Sequence, residues 1–176
     1  MAETDIKLYS ADERLGKMDV DLIDISATLT GDGTSGDIMF INTEIPNCVS
    51  VNAGTCLLHS VVAVITDHAT DTSGDGANIT GSFKLVFTAD STTTGAVSVA
   101  TGGLTLTRAV LDGTAAIVPI SAITDMGYFG LAYKSNIGAV LKAAASTKSL
   151  YVWGITDSTN DYNGATITLR IGVIKD

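Results

Sequence analysis

The stretch Ile45–Asp67 constrains this chain more than any other. Within it, Leu57 to Ile65 is the longest nearly unbroken apolar run, rich in β-branched side chains and closed by Thr66 and Asp67. Such a run reads as a central strand buried on both faces, around which the remaining segments pack. It is entered through Val49 to Val51 and the turn Asn52-Ala53-Gly54, while Pro46 marks a point where ladder pairing must lapse.

Around that strand the pattern is one of short alternating segments. Met18 to Leu29 alternates but changes phase, so a bulge near Leu22–Ile23 is expected to keep one continuous buried face. Thr30 to Thr34 is a turn, and Asp37 to Thr43 a second strand centred on Ile38-Met39-Phe40-Ile41. Ser82 to Thr88 puts Phe83, Leu85 and Phe87 on one face and Ser82, Lys84 and Thr88 on the other, with Val86 the exception. Ala96 to Ala100, Leu104 to Thr107 and Ala115 to Ile120 are shorter candidates, and Pro119 puts the last at an edge. Arg108 to Gly113 has the form of a single helical turn closed by glycine.

Ala122 to Asn136 is hard to assign, reading either as an irregular strand or as a loop that presents aromatics to a partner. Gly138 to Lys142 is a short strand. Ser149 to Ile155 is apolar on both faces, with Leu150 and Val152 directed one way and Tyr151, Trp153 and Ile155 the other. Asp157 to Gly164 reads as a hairpin loop, and Thr166 to Ile174 buries Ile167, Leu169, Ile171 and Val173 while Thr168 and Arg170 point outward. The sum is about nine or ten strands with regular turns and no helix of ordinary length. That predicts an all-β chain, an antiparallel β-sandwich with the jelly roll as one form open to it. Met1 to Lys17 is too polar to build a core of its own. It is either a frayed end or an arm that orders against a neighbouring subunit through Ile6, Leu8 and Tyr9, leaving residues 18–176 as one domain.

Composition narrows the function by exclusion. Apolar residues make up 45% against 16% charged, which argues for a folded chain, and 18 glycines suit tight turns. A net charge of −9 with only 10 scattered Lys and Arg opposes nucleic-acid binding, because phosphate contacts need clustered cations. No run approaches the roughly 20 apolar residues of a membrane helix, and the N-terminus lacks the apolar core of a signal peptide. The chain is therefore expected to be made and kept in a cytoplasm unless it leaves inside a particle.

No constellation carries specific chemistry. His59 and His68 have Ser and Asp for company but no Gly-x-Ser-x-Gly elbow, so His59 is read as a core or interface histidine with a satisfied ring nitrogen and His68 as solvated. Asp67, Asp71 and Asp75 recur in a glycine loop without EF-hand spacing or a closing Glu, which reads as a solvated turn. Cys48 and Cys56 flank a turn across which a disulfide is geometrically conceivable, but with no export signal they read as two buried thiols, and a zinc site would need both histidines. No catalytic residue, metal, cofactor or small-molecule substrate is expected.

Several ordered pieces carry a resemblance. They are Gly36 to Phe40, Glu44 to Asn47 followed by Val49 to Gly54, Leu58 to Ser60, Asn136 to Gly138 with Val140 to Ala143, and Ser149 to Val152 before Gly154-Ile155. Together they resemble small virion proteins of marine and freshwater tailed bacteriophages, the head decoration or cement proteins of the capsid exterior. Cys48 and Cys56 stand where that group tends to have small residues, and Asp67 to Asn78 and Arg108 to Tyr133 match it poorly. The resemblance implies a non-enzymatic structural virion protein, synthesised in the bacterial host cytoplasm, that binds the major capsid protein as a homo-trimer. Within that reading Ile6, Leu8 and Tyr9 of the arm and Tyr151, Trp153 and Ile155 of the late strand are the expected interface residues. The other reading is a tail or fibre adhesin, or a carbohydrate-binding sandwich, using Tyr128, Phe129 and Tyr133, or Tyr162 with Asp161.

Overall fold

The apolar run lies inside a twelve-residue strand at the middle of a sheet. The computed structural model describes residues 19–29, 32–33, 35–36, 38–66, 81–89, 114–126, 129–157, 160–161 and 165–175. Expectations for Met1–Lys17, Asp67–Asn78, Ala96–Ala100, Leu104–Thr107 and Arg108–Gly113 fall outside these residues, as do those for His68, Tyr128 and Tyr162.

The described residues form twelve strand segments and no helix. In chain order they are β1 (Asp21–Thr28), β2 (Asp32–Gly33), β3 (Ile38–Ile45), β4 (Thr55–Thr66), β5 (Phe83–Thr88), β6 (Thr114–Ile120), β7 (Thr124–Asp125), β8 (Phe129–Lys134), β9 (Ala139–Lys142), β10 (Leu150–Thr156), β11 (Asn160–Asp161) and β12 (Thr166–Lys175). One sheet runs β1-β12-β4-β8-β7, with β9 taking over from β8 along the first residues of β4; the other runs β3-β10-β5-β6. β2 and β11 form a separate two-stranded ladder, and every pairing is antiparallel.

The order of the long strands defines the fold. Numbered first to eighth, β1, β3, β4, β5, β6, β8, β10 and β12 pair first with eighth, second with seventh, third with sixth and fourth with fifth. That nesting is a long antiparallel ribbon folded at its middle. Further pairing of β12 with β4 and of β10 with β5 rolls the ribbon into two four-stranded layers, which is a jelly roll.

Binary patterning puts the core between the layers. Leu58, Val61, Ala63 and Ile65 of β4 share one buried cluster with Ile167, Leu169, Ile171 and Val173 of β12 and with Phe83, Leu85 and Phe87 of β5. β4 is buried on one face and half-buried on the other, where the sequence suggested two buried faces. Its apolar outer side is an exterior surface, since β4 sits in a sheet with only one layer behind it.

Three further expectations change. β1 pairs with β12 without interruption from Asp21 to Thr28, so Ile23 and Ile25 point in and Leu22 is left 61% exposed; no bulge forms there. The phase change falls instead on β4, where Ser60 pairs with Gly172 but Leu58 with Val173, which leaves His59 as the extra residue. The segment after Thr156 leads from one sheet to the other, since β10 and β12 belong to different layers, and so it is a crossover rather than a hairpin. Pro119 does lie on an edge strand, pairing with Lys84 of β5.

Two crossover segments close one end. Val49 N donates to Lys148 O at 3.2 Å, Ala53 N to Ala144 O at 3.2 Å, and Ala143 N to Gly54 O at 3.1 Å. Ala53 holds a φ of 57° in the turn that Gly54 N closes onto Val51 O at 3.0 Å.

Gly154 is where β10 passes over an aromatic ring. A Cβ there would overlap the Phe40 ring, with Cδ1 2.6 Å and Cζ 3.1 Å away. Gly154→Ala is therefore expected to destabilise the fold by about 1–3 kcal/mol in urea unfolding, and Phe40→Leu in the same chain to recover part of that loss.

Candidate interaction face

The outer face of the β1-β12-β4-β8 sheet is divided down its length. On the β1–β12 half, alternation brings polar side chains into register: Arg170 donates to Asp24 through Nε and Nη2, both at 2.8 Å, and Ser26 Oγ lies 3.1 Å from Thr168 Oγ1. Lys175 Nζ pairs with Asp21 at 2.6 Å on the inward side of the same two strands, since Lys175 registers with Cys56 and Asp21 with Val173. The hydrogen bonds from Arg170 hold the Asp24 carboxyl below its ordinary range, with the guanidinium charge adding to them, and raise Arg170 in turn.

The β4–β8–β9 half is apolar. Val62 and Val64 of β4 face outward beside Tyr133 and Leu131 of β8, Thr66 beside Phe129, and Leu57 beside Val140 of β9. Tyr133 is 69% exposed, Val140 67% and Phe129 37%. β8 inverts the usual pattern: Gly130 and Ala132 lie on the core side, and its large apolar side chains, Phe129, Leu131 and Tyr133, lie on the outer side. Aromatic and β-branched residues gathered on an exterior sheet face constitute an apolar surface that water does not favour.

Between the halves, Gly172 permits a close approach. A Cβ on it would overlap Ser60 Oγ and stand 3.1 Å from Val20 Cγ1, so the missing side chain lets Ser60 and Val20 lie close over β12, with Leu22 at ordinary contact distance.

The sheet opposite covers its middle strands but leaves Ile117 of β6, beside Val86, 45% exposed and Ile41 of β3 58% exposed. Tyr151, Trp153 and Ile155 point outward from β10, paired with Thr88, Val86 and Lys84 of β5. Tyr151 and Trp153 are half-buried and Ile155 is 8% exposed, while Val86 and Thr88 are buried although they face the same way. Trp153 Nε1 is buried without a hydrogen-bond acceptor. The late-strand half of the expected interface set therefore stays together on one face, with little surface left for a partner. Ile6, Leu8 and Tyr9 lie outside the described residues.

The remaining chemistry-bearing residues stand apart. His59 is half-buried at the bulge, its carbonyl accepting from Ile137 N at 3.1 Å, and its Nδ1 is buried with no hydrogen-bond partner. Lys84 forms an ion pair with Asp157, and Ser149 Oγ donates to Glu44 Oε1 at 2.6 Å. Cys48 and Cys56 are buried with their sulfurs 3.9 Å apart. Among the described residues no three His, Cys, Asp or Glu side chains converge on a metal-sized site. No helix among them is long and apolar enough to cross a membrane.

Fold and face together define a jelly-roll β-sandwich protein with an unpartnered apolar half-face. No protein-family model and no curated protein matches the chain. Among solved structures, a chain titled Desmodium yellow mottle tymovirus is similar over 88% of this chain and 86% of its own, at 15% identity and a TM-score of 0.26.

Two outcomes follow from this geometry. Tyr133→Ser and Val140→Thr each remove exposed apolar surface and are expected to change unfolding free energy by no more than about 0.5 kcal/mol in urea titration. Asp24→Asn is expected to lower stability slightly at neutral pH and low salt. A carboxyl whose folded pKa is depressed contributes above its unfolded value and loses that contribution as pH falls, so the difference should vanish in melts well below 3.8, the ordinary aspartate value.

Proposed function

We propose that this chain is a structural virion protein that decorates the outside of a tailed-bacteriophage head. It binds the outer surface of major capsid protein subunits and stabilises the joints between them. The reading rests on the sequence resemblance, and the structural observation that supports it is the apolar half-face of β4, β8 and β9 on a sandwich filled by its own side chains. A protein of that build acts through area buried against a neighbour, with no bond made or broken. Hydrogen bonds and apolar burial at such joints oppose pressure from packaged DNA. A homo-trimer, made in the host cytoplasm and carried on the capsid exterior, completes the proposal, because heterologous contacts that close into a ring give each copy an equivalent seat.

A second reading draws on Phe129 and Tyr133. Two solvent-facing aromatics on one strand also suit a tail or fibre adhesin that stacks on sugar rings.

The test is to add purified protein to heads that lack it and measure occupancy by sedimentation and electron microscopy. Binding is expected for the unaltered chain, and at least about tenfold weaker binding for Tyr133→Asp or Val140→Asp, since loss of a buried aromatic or aliphatic anchor at an interface centre costs about 2 kcal/mol or more. Removal of residues 1–17 tests the arm separately. Unaltered affinity in both face variants would reject this face, and glycan-array binding without capsid binding would favour the adhesin.

A further inference from the structure

The chain has two cysteines, and the fold brings them together. Cys48 belongs to the crossover between β3 and β4, and Cys56 is the second residue of β4, paired with Lys175 of β12 and Leu141 of β9. Both lie in the central cluster at 0% and 2% exposure, with Sγ to Sγ at 3.9 Å. Two small apolar residues could fill the same volume at separate places. Here the sulfurs face each other across a turn, about 2 Å beyond the length of a disulfide bond.

We propose that Cys48 and Cys56 are a redox modification site, closing to an intramolecular disulfide when the protein meets a low-molecular-weight disulfide such as oxidised glutathione. One cysteine, as thiolate, attacks a sulfur of the reagent, forming a mixed disulfide and expelling one equivalent of small thiol. The second then attacks the protein-side sulfur and expels the other equivalent. The two protons leave the protein thiols and end on the two small thiols; the cysteine pair gives up two electrons and the reagent takes them.

The surroundings set when this happens. The neighbouring Cys56 thiol and burial raise Cys48 far above the ordinary thiol range, so the closed loop protects the pair. Cys48 sits in the crossover 46–54, which is tied to the 143–148 segment by backbone hydrogen bonds of 3.1–3.3 Å. Opening of that segment exposes both sulfurs while the ladders of both sheets stay intact. The bond would then fasten the crossover to the central strand in an oxidising exterior, whereas a reducing cytoplasm would keep the thiols. This inference stands whether or not the chain binds a capsid.

The experiment incubates the whole folded protein with oxidised glutathione, then alkylates it in denaturant and measures intact mass and melting temperature. Unaltered protein is expected to end two hydrogens lighter, without bound glutathione or alkyl groups, and to melt about 5–10 °C higher, as a closed loop of this length should. Cys48→Ala and Cys56→Ala are each expected to stop at the glutathione adduct or stay reduced, with no gain in melting temperature. Full alkylation of both sulfurs, a persistent adduct on the unaltered chain, disulfides only between chains, or a lower melting temperature on closure would each overturn the proposal. The measurement on the unaltered chain decides the matter even if a variant folds poorly.

Discussion

The ladder between β4 and β12 is the interaction on which the rest of the molecule depends. Ten residues of β12, from Thr166 to Lys175, register against β4 from Thr66 back to Cys56. β1 reaches the sheet only by pairing with β12, and β8 and β9 only by pairing with β4, so removing this contact detaches both halves at once. Its inner face supplies eight of the buried aliphatic side chains against which the second layer closes. Burial of that kind stabilises by roughly 1.5–3 kcal/mol for each large side chain relative to exposure, which outweighs any surface ion pair on the same strands.

That ladder is also a non-local one. β4 and β12 are separated by most of the sandwich in sequence, and β1 joins the last strand of the chain. Loop closure must be largely complete before these pairings stabilise anything, so folding of such a topology is expected to be slow compared with a helical protein of similar size. The tied crossovers at 46–54 and 143–148 help hold that arrangement once formed, because both lead from one layer to the other.

The same architecture accounts for where function can reside. A jelly roll whose middle is filled leaves its outer faces, edges and end loops for recognition. Of the two outer faces, the β3-β10-β5-β6 sheet covers the apolar residues of β10 and β5 but exposes Ile41 and Ile117 on its edge strands, whereas the β4–β8–β9 half of the other leaves Tyr133 and Val140 to solvent. The half beside it is bound together by Asp24 and Arg170 and carries Leu22 as its exposed apolar residue. Edge residues such as Pro119 and the charged Asp21 and Asp24 discourage indiscriminate strand addition.

All-β class, the central strand, the face division of Ser82–Thr88 and of Ser149–Ile155, and the two buried thiols were legible in the amino acids, because alternation with period two and β-branched runs report local burial directly. A phase change in β1 and one in β4 look alike until pairing is known, so the inserted residue is His59 rather than one near Leu22–Ile23, and Leu22 lies over Gly172. β8 was unreadable because its large apolar residues lie on the outer side and its small ones on the core side, the reverse of the usual code. Periodicity establishes which side chains share a face, but not which face meets the other sheet, which strand is neighbour to which, or whether two cysteines eight residues apart touch. Those depend on contacts between segments far apart in the chain, so the jelly-roll order, the apolar half-face and the meeting of Cys48 with Cys56 emerge only when the layers close.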